Sequence, residues 1–199
     1  MAKIETYVFF DIETTGLPQL ELCRTKITEL SFVAVSREDL VTSETLPLMN
    51  KLSLLFNPER KIQPKVTAIT GLSITTLKNQ PIFKNRIQII NSFLTSLPKP
   101  VCLIAHNGNR FDFKILQAEY CDVGEHLPND LLCLDSLTGF RKIIKDTNIT
   151  YKDLNYTSVC NKQDRQTSSQ EDDELLTDDE DKWPPLNTSA EEWLEIDKL

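Results

Sequence analysis

"YVFFDIETTGLP" (residues 7–18) decides how the fold is read. Tyr7 to Ile12 is a β-branched and aromatic run, and Gly16 and Pro18 mark where the extended segment stops. Residues two apart in a strand point to the same face. Asp11 and Glu13 therefore project together, from the place where a sheet gives way to a loop. Two like charges held that close repel unless something positive sits between them. A divalent cation meets the need, because hard ions such as Mg²⁺ take one or two carboxylates and fill the rest with water and phosphate oxygen. A surface turn capped by acids fits the spacing equally well.

Outward from this stretch, strand and helix signals alternate. "ITELSFVAVS" (27–36) and "NKLSLLFNP" (50–58) read as two further strands reached by short links, which predicts an antiparallel meander. "PKVTAITGLS" (64–73) opens on Pro and stops at Gly71, a short helix. Ile82, Phe83, Ile87, Ile90, Phe93, Leu94 and Leu97 recur at helical spacing until Pro98 ends the pattern. "VCLIAHNG" (101–108) is a fourth strand running into a loop, and "RFDFKILQAEYC" (110–121) reads as a helix. "LLCLDSL" (131–137) is a fifth strand, with Asp135 or Ser136 capping a helix over "LTGFRKIIK" (137–145). Three meandering strands followed by strand–helix units predict an α/β fold: a mixed sheet with helices on both faces.

Composition bounds the rest. The chain has 199 residues, enough for one domain, or one domain with a tail, and 40% of them are apolar, enough for a core. No stretch approaches the roughly 18 consecutive apolar residues of a membrane helix. The start, MAKIETYVFF, enters a strand at once and lacks a signal-peptide pattern. The five cysteines (Cys23, Cys102, Cys121, Cys133, Cys160) are odd in number and lack CxxC spacing, which predicts free thiols in a reducing compartment. The expectation is an intracellular protein of the cytoplasm or nucleus, with no membrane association.

The formal charge of −8 is not spread evenly. Residues 161–199 hold 13 acidic and 4 basic side chains, so residues 1–160 are nearly neutral and a polyanionic substrate is not excluded for them. The same break sets the domain boundary. Residues 1–160 read as the folded domain, and 161–199, with "EDDELLTDDED", as a mostly disordered acidic tail. Ser189 and Glu192 fit a capping box before a short helix over 190–198.

A second acidic position comes in "LIAHNGNRFDFKIL" (103–116). A strand ends, the polar loop His106-Asn107-Gly108-Asn109 follows, and Asp112 opens a helix between Phe111 and Phe113. Alone, Asp112 reads as a first-turn acid complementing the helix dipole. Beside the opening stretch it becomes a third carboxylate at the ends of two strands that can neighbour each other. Small polar residues and Gly108 would let a nucleic-acid backbone come close.

The flanks make a resemblance specific. "FFDIETTGLP" (9–18), "KITEL" (26–30), "NKLSL" (50–54), "ITGLS" (69–73) and "AHNGNRFDF" (105–113) resemble, in order, the three-prime repair exonucleases, within the four-acid (DEDD) 3′–5′ exonucleases of ribonuclease H-like fold. The resemblance implies a five-stranded sheet and a metal-dependent DNA exonuclease that removes nucleotides from 3′ ends. It implies that Asp11, Glu13 and Asp112 hold up to two Mg²⁺ ions, with Mn²⁺ as substitute. Glu13, Thr14 and Leu17 would touch the terminal nucleotide, with His106, Asn107 and Phe111 beside the 3′ end. Phe111 stands where relatives often have Tyr. The implied substrates are single-stranded DNA and the 3′ ends of duplex DNA, with a homodimer as some relatives form. The implied chemistry is two ions roughly 3.5–4 Å apart, with a histidine as general base.

One departure matters. Such relatives finish with a third motif, His followed five residues later by Asp. The histidines here are His106, which belongs to the second motif, and His126, four residues before Asp130 in a loop. The general base and the fourth carboxylate are therefore missing. Two readings follow: an exonuclease chain with an altered ending and impaired turnover, or an inactive module kept for binding nucleic acid or protein.

Overall fold

The structure is a computed structural model that describes residues 3–22, 24–43 and 46–147, with 146 and 147 in backbone alone. The expectations for the boundary at 160, the acidic tail and the helix at 190–198 lie outside the described residues.

Five strands form one sheet in the order β3-β2-β1-β4-β5. They are β1 (Thr6–Thr14), β2 (Ile27–Ser36), β3 (Met49–Leu55), β4 (Val101–Ala105) and β5 (Leu131–Asp135). β1, β2 and β3 are antiparallel neighbours, while β4 lies parallel to β1 and β5 parallel to β4. This is the mixed sheet expected. It matches the ribonuclease H-like fold, because a meander needs only short links while each parallel step needs a helical crossover.

The helices are α1 (Arg37–Thr42), α2 (Pro64–Thr70), α3 (Ile74–Leu77), α4 (Ile87–Ser96), α5 (Asp112–Asp122) and α6 (Ser136–Thr147). Residues Phe83–Arg86 form a 3₁₀ turn leading into α4. α2 stops where Gly71 takes φ +73°, a left-handed conformation that costs glycine nothing. α1 and α3 are helices the hydrophobic pattern does not announce. α1 is capped by Ser36, whose Oγ accepts from the Asp39 N–H at 2.9 Å, and α3 by a Ser73–Thr76 capping box.

The core lies on the sheet face formed by Val8, Phe10 and Ile12 of β1, Leu30 and Phe32 of β2, and Leu103 of β4. Ile90 and Leu94 of α4 and Phe113, Leu116 and Tyr120 of α5 pack in the same cluster. The rings of Phe10 and Phe113 meet at 5.3 Å between centroids, and Phe10 and Phe32 at 5.7 Å. Such pairs contribute about 0.5–1.5 kcal/mol each beyond burial. They also settle where α5 begins, since Phe113 on Phe10 brings the neighbouring Asp112 to the neighbouring Asp11. The far end of α5 is fixed by Glu119, whose carboxylate accepts from the Ile27 N–H at 2.9 Å and from Lys26 Nζ at 3.1 Å.

Candidate functional site

β1 is longer than its sequence suggests. The strand runs through both acids to Thr14, with Asp11 opposite Ser31 and Glu13 opposite Glu29 of β2. The Thr-Thr-Gly that signals a turn instead follows a register shift between Glu13 and Thr14. On its other side β1 pairs with β4 only from Thr6 to Phe9. Past Phe9, therefore, β1 continues beyond its parallel neighbour. β1 is where the chain order changes sides, with β2 and β3 on one flank and β4 and β5 on the other, and in open α/β sheets the crevice at such a switch point, outside the carboxyl ends of the strands, takes ligands.

Asp112 lies against this crevice. It is buried, yet the backbone N–H of Ile12, beyond the last residue paired with β4, hydrogen-bonds to its carboxylate. Burial pushes the carboxyl up to about 6, and the nearby charges of Asp11 and then Asp135 push the same way; the N–H groups of Asp112 and Ile12 oppose them. As a first-turn acid it also meets the positive end of α5, but desolvation wins. Glu13 titrates higher than usual as well, through partial burial, then Asp11, then Glu29 across the strand pair. Glu29, held by the Ser53 hydroxyl at 3.0 Å, is an acid that sequence reading passed over. Its signal was the register that sets it opposite Glu13.

The remaining candidates fall into two groups. Thr14 is buried and its hydroxyl donates to the Gly16 carbonyl at 3.0 Å, so its side chain is already engaged. Leu17 is 54% exposed at the lip of the same turn. His106, Asn107 and Phe111 follow β4 at its carboxyl end. His106 is exposed, with Nδ1 3.1 Å from Ser136 Oγ. Phe111 packs against the edge of the core. Gly108 has a reason other than the approach of a nucleic acid: an added Cβ would meet the Ala105 Cβ and the Phe113 ring at 2.7 Å.

The organiser of this loop is Asp135, read from sequence only as a helix cap. Its buried carboxylate accepts from the N–H groups of Asn107 at 3.0 Å, Asn109 at 3.1 Å and Leu137 at 2.9 Å. One side chain thus caps α6 and holds Asn107 in its left-handed conformation at φ 58°. Each buried donor left without an acceptor costs about 1–3 kcal/mol. Asp135→Ala is accordingly expected to lower the melting temperature by several degrees and to speed hydrogen exchange at Asn107 and Asn109. Unchanged exchange there would show that the loop is held otherwise.

The donor set fits a hard divalent cation. It is all oxygen, partly desolvated and self-repelling, which a cation relieves. Among the described residues no three His, Cys, Asp or Glu side chains are gathered around one point. Asp11, Glu13 and Asp112 therefore form no closed cage in this structure, and a cation there would need water or phosphate oxygen to complete its shell. Cys102, Cys121 and Cys133 are free, and burial pushes Cys102 up to about 11 and Cys133 up to about 12. Among the described residues no helix is long and apolar enough to cross a membrane.

Comparison with known proteins identifies the family. The profile of the RNase T-type exonuclease family matches residues 8–166. The chain is 38% identical over 150 residues to three prime repair exonuclease 2 of Mus musculus, covering 70% of this chain and 62% of that protein. It is 37% identical over 155 residues to three-prime repair exonuclease 1 of Homo sapiens, covering 70% and 48%. The chain therefore spans roughly half to three-fifths of the length of these relatives. Among solved structures, the zinc-bound complex of Escherichia coli exonuclease I with single-stranded DNA superposes with a TM-score of 0.54 at 18% identity, over 70% of this chain and 30% of that one. At that identity the superposition speaks to fold. The profile match covers most of the sequence, and the conclusion is plain: this chain belongs to the exonuclease family, with a domain homologous to the three-prime repair 3′–5′ exonucleases.

Proposed function

We propose that residues 1–160 form a metal-dependent domain that binds DNA 3′ ends, single-stranded or at the terminus of a duplex, and is built to hydrolyse the last phosphodiester. The observation that carries the reading is the crevice itself: Asp11 and Glu13 share one face of β1 where β4 ends, with the Asp112 carboxylate alongside.

Asp11, Glu13 and Asp112 would hold Mg²⁺, or Mn²⁺ in its place, up to two ions. Bound there, such an ion supplies positive charge to the phosphate and acidifies a water. The chain's own residues do the rest. Ionised Asp112 requires pH above about 6, and its burial keeps bulk water from that side. The turn after β1 presents Leu17 as an apolar surface on which an unstacked base can rest. The loop His106–Asn109, fixed by Asp135, borders the same crevice at the carboxyl end of β4. The solved exonuclease I complex contains single-stranded DNA, which supports that substrate class here. An intracellular place, in cytoplasm or nucleus, and a homodimer complete the reading.

The test is binding of a fluorescent single-stranded DNA with and without Mn²⁺. Metal-dependent binding that Asp11→Asn abolishes is the expected result. Binding indifferent to both metal and Asp11 would instead favour a non-catalytic nucleic-acid module, and no binding at all would remove the proposal.

A further inference from the structure

The turn that follows the acidic strand is held from within by a buried polar chain that no metal or substrate role accounts for. Thr15 is fully buried, and every polar group on it is used. Its N–H donates to the Lys26 carbonyl at 2.9 Å, and its carbonyl accepts from the Gln63 N–H at 2.9 Å. Its hydroxyl accepts from the Lys26 N–H at 3.1 Å and donates to Glu21 Oε2 at 2.6 Å. Glu21, also buried, presents its other oxygen to Arg60 at 3.4 Å, and Arg60 donates in turn to the Arg24 carbonyl.

A buried carboxylate is costly unless paired and hydrogen-bonded. This one is both, held by the Thr15 hydroxyl and Arg60, while Thr15 itself is tied to Glu21 within the turn, to Lys26 just before β2 and to Gln63 just before α2. The chain Thr15–Glu21–Arg60 therefore ties the turn to the segment before α2. Thr14 and Leu17 lie on either side of Thr15. The turn continues directly from the strand that carries Asp11 and Glu13, and Leu17 is exposed on it, so a ligand held by those acids comes close to this turn.

We propose that Glu21, clamped by Arg60, is the positioning residue of the 3′-terminal nucleotide site, acting through the Thr15 hydroxyl on the turn Thr14–Leu17. The inference rests on the proposed function and deepens it. It assigns discrimination for a free 3′ end to a salt bridge that touches no substrate.

The experiment compares two probes on the full chain with Mn²⁺. One is a linear single-stranded DNA whose last linkage is a phosphorothioate, and the other is a circular single strand of the same composition. Thr15→Val removes the hydroxyl without changing the shape, and Thr15→Ser keeps it. Thr15→Val removes both hydrogen bonds of the hydroxyl and is expected to weaken the linear probe about five- to tenfold, while the circle binds as before. Thr15→Ser should restore the wild-type ratio. Arg60→Met, at a partly exposed position, should shift the ratio in the same direction if Thr15→Val fails to fold. A ratio unchanged in Thr15→Val or Arg60→Met, or an equal loss on both probes, overturns the assignment and leaves the proposed function standing. A wild type that binds circle and line alike overturns the 3′-end reading, and this inference with it.

Discussion

In the absence of metal at neutral pH, Asp112→Asn is expected to be more stable than the wild type. The carboxyl of Asp112 rises to about 6 on folding, from an ordinary value of 3.8. Its causes are burial and the charges of Asp11 and Asp135, all of which penalise the ionised form. The sign follows from proton counting. Between those two values the folded state binds more protons than the unfolded one, so stability rises as pH falls through that window and is flat on either side. At pH 7 the full cost applies, roughly 3 kcal/mol at 1.36 kcal/mol per unit. Asparagine keeps an oxygen acceptor for the Ile12 N–H and removes the charge. Burying its amide returns part of the gain, leaving about 1–3 kcal/mol, or several degrees in melting temperature.

The same substitution should cost the response to metal. A ligand that binds only the folded state raises stability by RT ln(1 + [L]/Kd), and the wild type with Mn²⁺ should show that gain. Asp112→Asn should show much less of it, so the order of the two proteins reverses when Mn²⁺ is added. Thermal melts in chelator at pH 7.5 and at pH 4, then with Mn²⁺, measure all of this. The advantage of Asp112→Asn should shrink toward pH 4. A variant less stable than the wild type in chelator at pH 7.5 would show that the carboxylate is better satisfied than its neighbours imply.

The sheet is more legible in the sequence than the site, because one rests on local patterns and the other on long-range pairing. Period-two alternation in Tyr7–Ile12 and the meander spacing after it need only local information, and the neighbours β3-β2-β1 follow from them. The acid pair was legible for the same reason, since a strand forces residues two apart onto one face. What turns those acids into a site is pairing across long stretches of chain. Glu13 meets Glu29 only because β2 has a particular register. Asp135 reaches Asn107 and Asn109 only because β5 lies beside β4. Thr15 and Glu21 look like turn residues in sequence, and nothing local says that Arg60 will close over them. The helix α3 was hidden by its length of four residues and by the glycine stop just before it. Gly108 carries a packing constraint that sequence alone does not show, the close approach of Ala105 and the ring of Phe113.

Binding without efficient turnover is the expected behaviour of this 199-residue chain. Hydrolysis in its relatives calls for a general base, a contribution of about 10²–10⁴-fold. Topology shows why neither histidine outside the missing motif is an obvious replacement. His126 precedes β5, whose first residue Leu131 pairs with Val101 at the start of β4, so it sits at the amino-terminal end of the parallel strands. Asp11 and Glu13 lie past the carboxyl end of β4, across the sheet from it. His106 is at the correct end, but one ring nitrogen lies 3.1 Å from Ser136 Oγ. This sequence also contains no His-x₄-Asp pair, in which the resemblance would place the fourth carboxylate. Digestion of a 5′-labelled single strand with Mn²⁺, beside a three-prime repair exonuclease that carries the third motif, should show a rate lower by at least about 10²-fold at comparable binding. Asp11→Asn should lose both binding and the residual rate. Robust multiple turnover by the wild type would overturn the expectation, and His106→Ala would then decide whether the remaining histidine at that end of the sheet is the base.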